Sequence, residues 1–203
     1  MKKASIILGF TFLLIFLSSC LHTLYPIFTE KDIVFKPELL GKWNNNKDIV
    51  QITSLAKESG IELPGKISTI KDKGYLINGD GEKYIVFLAR IGKHLYFDYY
   101  PLRSEVQQNA DEFYMQHMIK RHLSYRVDII NKDRFELSLL AGDFLENLIK
   151  QKKIRIQHEI DSDGSIIITA PTEELQQYIL KYGDDPGAYE SEKSIFTKAN
   201  INL

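Results

Sequence analysis

The feature that most constrains the fold is a succession of short β-type runs separated by turn signals. The runs lie at 48–56, 66–77, 84–91, 94–100, 122–130, 134–140, 154–160 and 165–170. Sequences such as Asn78-Gly79-Asp80-Gly81, between two of these runs, tolerate the positive φ angles that tight hairpins need. About eight or nine short strands with such connections predict a mainly β fold, an antiparallel β-meander or barrel.

Two short amphipathic helices are expected beside the strands. At 143–152, Asp143 and Glu146 have the spacing of a capping box, and lysines lie at the C-terminal end. A second helix is expected to begin at Thr172 and to end at Gly183, with apolar residues at helical spacing between them. The run 104–118 has roughly helical spacing and is ambiguous. From Asp184 the sequence is polar, and we expect a loose C-terminal tail over 184–203.

The N-terminus has the three parts of a bacterial export signal. Lys2 and Lys3 precede an apolar run at 6–17, which is too short to span a bilayer comfortably. The sequence Leu17-Ser18-Ser19-Cys20 then resembles a lipobox, in which a leucine and two small residues precede a cysteine. The alternative is an uncleaved N-terminal anchor with an incidental cysteine.

The resemblance to a lipobox implies a bacterial lipoprotein. Residues 1–19 would be the signal peptide, Cys20 would carry diacylglyceryl and N-acyl lipid, and residues 20–37 would be the lipidated cysteine and a tether. Leu21, which is not acidic, implies an outer-membrane anchor facing the periplasm under Gram-negative sorting rules. Because Cys20 is the only cysteine, no disulfide is expected, and a hydrophobic core must stabilise residues 38–183 as a single β-rich domain.

The only tryptophan lies in the sequence Leu39-Leu40-Gly41-Lys42-Trp43. This sequence resembles the Gly-x-Trp signature of lipocalins, which implies a helical turn leading into the first strand and an indole that plugs one end of a barrel. The alternative is that Trp43 is ordinary core packing. The longer stretch 24–43 also resembles a group of small lipoproteins, a likeness that implies location and fold but no activity.

The run 94–100 carries the residues that we consider for ligand binding together with Trp43. His94, Tyr96, Asp98 and Tyr100 share one face of the expected strand. Inside a wide barrel they would line a pocket that mixes aromatic surface with polar groups. The alternative is that this face is an ordinary solvent-facing strand surface.

The sequence contains no recognisable cofactor or catalytic motif, and we expect neither a metal nor a cofactor. Without Lys2 and Lys3 the chain has 24 basic and 27 acidic residues, a balance that gives no reason to expect nucleic acid as a partner. We therefore expect a non-enzymatic envelope lipoprotein that binds an apolar small molecule or an envelope component. The alternatives are a structural or assembly subunit that docks a protein partner and, third, an envelope hydrolase.

Overall fold

The computed structural model describes residues 20–45, 48–58, 65–79, 82–102, 119–162 and 164–199. The expected signal peptide at 1–19 and the whole of the ambiguous run at 104–118 lie outside these residues. So do Asp111, Glu112 and His117, whose side chains are of the kinds that can ligate a metal.

Eight antiparallel strands form a closed barrel, which confirms the predicted fold class. Their bounds are β2 Gly41–Asn45, β3 Asp48–Ser54, β4 Gly74–Gly79, β5 Glu82–Ile91, β6 His94–Pro101, β7 His122–Asn131, β8 Arg134–Leu140 and β11 Tyr189–Lys198. Each strand pairs with the next one along the chain, except that the long connection from β8 to β11 carries other elements. The ring closes because β11 pairs with both β8 and β2.

Three further strands extend the sheet on one side of the barrel. They are β1 His22–Thr23, β9 His158–Ile160 and β10 Ile166–Ile168. β1 is antiparallel to the beginning of β7 and parallel to β10, and β10 forms a hairpin with β9. The predicted hairpin between 154–160 and 165–170 is therefore present, with strands shorter than expected.

Helices pack on the outside of the barrel. Their bounds are α1 Gly65–Thr69, α2 Gly142–Lys150 and α3 Thr172–Tyr182. Both expected amphipathic helices are present as α2 and α3, but their caps differ. Asp143 lies within the first turn of α2, where its carboxylate accepts the N–H of Phe144 at 2.7 Å. The Thr172 hydroxyl donates to the carbonyl of Pro26 at 2.8 Å instead of capping α3.

The prediction of β structure throughout 66–77 is wrong for its first part. This stretch contains α1, a 3-10 turn at Lys71–Lys73 and only then β4. Ile67 and Ile70 have the three-residue spacing of a helical turn, and both pack in the apolar cluster on the outer wall of β4 and β5. Packing of this turn on the barrel wall delays the strand until Gly74.

The prediction of a loose tail over 184–203 is also wrong for its described residues, 184–199, because β11 closes the barrel. Phe196 points inward and stacks on Phe135 with ring centroids 4.6 Å apart. The register between β11 and β8 shifts between Tyr189 and Lys193, which interrupts the alternation that marks a strand. Most outward positions of β11 are polar and exposed, and for both reasons the sequence resembled a solvated tail.

Residues 21–37 are not a free tether either. Leu21, Thr23 and Ile27 are buried, and β1 lies within the sheet. The segment then crosses the outer wall, where Ile33 bridges Ala89. It contacts several elements with one or two residues at a time, so its apolar residues show no period that sequence reasoning could recognise.

The role of β11 is testable with neighbouring residues of opposite orientation. Phe196→Ala removes an inward ring that packs on Phe135, and it should lower the free energy of unfolding by about 3–4 kcal/mol. Ile195→Ala, on the outer face at 38% exposure, should cost less than about 1 kcal/mol. Urea unfolding followed by circular dichroism measures both values. Equal, small losses in the two variants would contradict a closing role for β11.

Candidate functional site

The barrel interior is closed at one end, here called the upper end, around Trp43. The indole is 1% exposed and meets the ring of Phe135 edge-on, with centroids 4.7 Å apart. Its Nε1 donates to the carbonyl of Leu39 at 2.8 Å. Leu39 belongs to the 3-10 turn Pro37–Leu39, which leads into β2. The indole thus packs in the core and also fastens the segment that covers this end of the barrel.

Lys198, on β11, contacts Trp43 and the segment before β2 from the opposite side. Its Nζ donates to the carbonyls of Leu40 at 2.8 Å and Glu38 at 3.2 Å. The ammonium also lies 4.1 Å from the centroid of the Trp43 ring, in the geometry of a cation–π interaction. Burial lowers the pKa of Lys198 from its ordinary value. The sequence did not single out Lys198 because this residue lies in the stretch that we expected to be a loose tail. The signal that could have identified it is the alternation that places Lys198 and Phe196 on the same face of β11.

The chain before β2 crosses the upper end. The Tyr75 hydroxyl accepts the N–H of Lys36 at 2.6 Å and donates to its carbonyl at 3.3 Å. Phe35 stacks on the Tyr75 ring at 4.9 Å. Burial raises the pKa of Tyr75 to about 12. These contacts close the upper end over a layer of fully buried side chains.

That solid layer is continuous around the barrel. It consists of Trp43, Ile52, Tyr75, Val86, Phe97, Val127, Phe135, Leu137 and Phe196. Each of these side chains is less than 9% exposed. Interdigitated aromatic and branched residues fill this half of the interior at the density expected of a protein core.

Toward the other end, the next inward-facing positions form a layer with different properties. Tyr84, Tyr99 and Tyr125 follow one another on β5, β6 and β7, with ring centroids 5.7 and 5.0 Å apart. All three keep part of their surface accessible. Leu139 lies opposite Tyr125, and Asn45 and Ser194 are the next inward positions after Trp43 and Phe196 on their strands; these three residues are also only partly buried. We call these six residues the lower layer.

The electrostatics of the lower layer reflect its position inside the protein. Burial, followed by the neighbouring phenols of Tyr125 and Tyr84, raises the pKa of Tyr99 far above its usual range, although its surface is partly accessible. Burial also raises the pKa of Tyr125 to about 12. Partly accessible side chains that point into the barrel are what an internal hollow would leave at this level. The lower layer is therefore our candidate functional site.

Cys20 lies at the rim of this lower end. It forms a bridge with Ala141, the residue that follows β8. The thiol lies close enough to Tyr125 and Glu190 for their charges to interact. Burial and the charge of Glu190 raise the pKa of the Cys20 thiol.

The four candidate residues of β6 share one face, and the structure places that face on the outer wall of the barrel. Tyr96 is buried, with its hydroxyl 3.1 Å from that of Tyr189. His94 Nε2 lies 2.7 Å from a carboxylate oxygen of Asp184. The inward residues of β6 are instead those of the other face, Leu95, Phe97 and Tyr99.

Asp98 holds the N-terminal segment on the outer wall. Its carboxylate accepts the N–H of Ile27 at 3.0 Å and lies 2.5 Å from His122 Nδ1 and 3.5 Å from the Ser124 hydroxyl. The Tyr100 ring is tilted against His122, with centroids 5.2 Å apart. Asp98 and His122 are both buried. These contacts satisfy the carboxylate within the protein and fasten the segment to β6.

The described residues were also compared with the requirements of a metal site and of a membrane-spanning helix. Among the described residues, no three histidine, cysteine, aspartate or glutamate side chains converge where a metal ion could bind. Within the same part of the chain, no helix combines the length and apolar character needed to cross a bilayer. Known proteins add no assignment: no family model, curated protein or solved structure matches this chain.

The buried tyrosines predict an alkaline transition. Tyr75 and Tyr125 have folded-state pKa values of about 12, whereas an unfolded tyrosine ionises near pH 10. Their contribution to stability is therefore complete below about pH 10 and is lost as the pH rises toward 12. Each group steepens the decline by up to about 1.4 kcal/mol per pH unit.

Tyr125→Phe keeps the ring and removes the ionisable hydroxyl. Its free energy of unfolding should therefore fall less steeply than that of the unmodified protein between pH 10 and 12. Urea unfolding at several pH values measures both slopes. Identical slopes would mean that Tyr125 does not ionise more easily in the unfolded chain.

Proposed function

We propose that this protein is a non-enzymatic envelope lipoprotein, anchored through lipid on Cys20, whose barrel binds an apolar small molecule in its lower half. One observation carries the proposal: the layer around Trp43 is solid, whereas the lower layer leaves part of its side-chain surface accessible. Ligand pockets typically combine apolar or aromatic walls with a few polar groups. The lower layer has this composition.

The polar groups of the lower layer suggest the chemistry of the ligand. Three tyrosine rings offer apolar faces, and Ser194 adds a hydroxyl group. Asn45 Oδ1 is buried and has no hydrogen-bond partner among the described residues. A ligand bound in the lower layer would therefore meet aromatic faces together with hydroxyl and amide groups. We therefore expect an apolar chain or ring that carries a hydroxyl or amide group.

The proposed anchor rests on the lipobox, and a periplasm-facing position at the outer membrane rests on Leu21. The closed barrel and the position of Trp43 support the lipocalin-like interpretation of Gly41-Lys42-Trp43, in which one end is plugged and the other receives the ligand. A hydrolase is less well supported, since the buried Asp98–His122 pair is engaged in holding the N-terminal segment.

One observation favours the alternative, a subunit that docks a protein partner. β9 is the last strand of the sheet and pairs only with β10 among the described strands. Its Ile160 is exposed. A partner strand adding to this edge would satisfy its backbone groups. Under this alternative the lower layer would bind no small molecule.

Ser194 and its neighbour Ile195 provide a matched test of ligand binding. Ser194 points into the lower layer, whereas Ile195 points out of the barrel. Residues 20–203 are titrated with N-phenyl-1-naphthylamine and palmitate, and the fluorescence and the thermal midpoint are followed together. Ser194→Phe should fill the hollow and weaken binding at least tenfold, whereas Ile195→Phe should bind like the unmodified protein.

Two outcomes would contradict the proposal. Failure of the unmodified protein to bind either probe would favour the docking alternative. Equal binding by Ser194→Phe and the unmodified protein would move the site out of the lower layer. Near-UV circular dichroism of each variant verifies that the barrel is intact.

A further inference from the structure

No flexible linker separates Cys20, the proposed lipid anchor, from the barrel wall. Leu21 donates its N–H to the carbonyl of Leu140 at 3.1 Å, and Leu24 donates to that of Ile168 at 2.9 Å. His22 and Thr23 are paired with β7 on one side and β10 on the other. A lipid on Cys20 would therefore be attached directly to the folded domain.

The pairing of β1 also determines where the Cys20 side chain points. Thr23 lies opposite His122, and both are buried on the outer wall. Side chains alternate along a strand, so His22 and Cys20 lie on the side of Leu123 and Tyr125. This is the inner side of the barrel, and the electrostatic interactions of Cys20 with Tyr125 and Glu190 agree with it.

Exposed apolar residues are found at the same rim. Ile119, three residues before β7, is 69% exposed, and Ile49, at the beginning of β3, is 62% exposed. Both lie at the end of the barrel where Cys20 lies. Exposed isoleucines beside a lipid attachment point match a surface that rests on a bilayer.

We propose that the lower rim of the barrel is a membrane-facing surface, held against the bilayer by the short Cys20 anchor. The proposal rests on the lipid anchor of the proposed function and adds a fixed orientation. Trp43 and Lys198 would then face away from the membrane. A ligand would reach the lower layer from the bilayer, which favours a molecule bearing an acyl chain.

Two exposed isoleucines flank β7 and provide matched reporters. Ile119 lies before its lower end, and Ile130, 55% exposed, lies near its upper end. The ten residues of β7 span roughly 30 Å at ~3.3 Å per residue. Ile119→Trp and Ile130→Trp are made in the full acylated chain, where the native Trp43 contributes the same background to both.

The variants are reconstituted in phosphatidylcholine vesicles whose acyl chains carry a nitroxide quencher. Ile119→Trp fluorescence should be quenched several-fold more strongly than that of Ile130→Trp. Inserting a flexible Gly/Ser linker of about ten residues after Cys20 should largely remove the difference. Equal quenching without the linker, or stronger quenching at position 130, would overturn the proposed orientation. Persistence of the full difference with the linker would overturn the role of the short anchor.

Flotation of the same vesicles separates this inference from the proposed function. The acylated chain should float with the vesicles, and Cys20→Ser should not. Failure of the acylated chain to float would contradict the membrane anchor itself. Flotation together with equal quenching at the two positions would contradict the orientation alone.

Discussion

The ladder between β11 and β2 closes the sheet on itself, and the rest of the interior depends on that closure. It places Lys198 opposite Trp43 and Phe196 opposite Asn45. Because the two strands lie near opposite ends of the chain, the barrel is complete only when β11 has joined β2, the first strand of the barrel. Closure also pairs sheet edges that would otherwise be open to other chains.

The closed barrel has two unlike halves. At the upper end the chain before β2 lies across the opening, and backbone carbonyls from this segment receive hydrogen bonds from Trp43, Tyr75 and Lys198. Toward the lower end the inward positions include three tyrosines, Asn45, Leu139 and Ser194, which leave surface accessible. The difference follows from the covering segment at the upper end and from the side chains that face inward at the lower end, and it is the basis on which we propose a ligand site in the lower half.

Local patterns predicted the elements whose signals are contained within the element itself. The strands at 84–91, 94–100 and 134–140 and the helix at 143–152 were recognised with boundaries close to β5, β6, β8 and α2. The closing strand was missed because its register shift breaks the alternation and its outward positions are mostly polar. The packed N-terminal segment was missed because its contacts are divided among several elements and therefore leave no period in the sequence.

The candidate site shows a related difficulty. Alternation along β6 correctly separates Tyr96 and Asp98 from Phe97 and Tyr99, but it does not determine which face points into the barrel. Both faces are buried, one by the core and the other by residues from distant parts of the chain. Tyr84, Tyr99 and Tyr125 lie on three separate strands. Their proximity could not be predicted from local patterns, because the strand register that brings them together is a property of the whole barrel.

We infer that one half of the barrel interior is solid and that the other half receives a ligand. Fluorine NMR of protein labelled with 3-fluorotyrosine, with signals assigned by single Tyr→Phe variants, tests this claim residue by residue during titration with palmitate. The signals of Tyr84, Tyr99 and Tyr125 should shift and saturate together, whereas that of Tyr75 in the solid half should stay in place. Shifts confined to exposed tyrosines such as Tyr25, or no shifts at all, would contradict a ligand site in the lower layer.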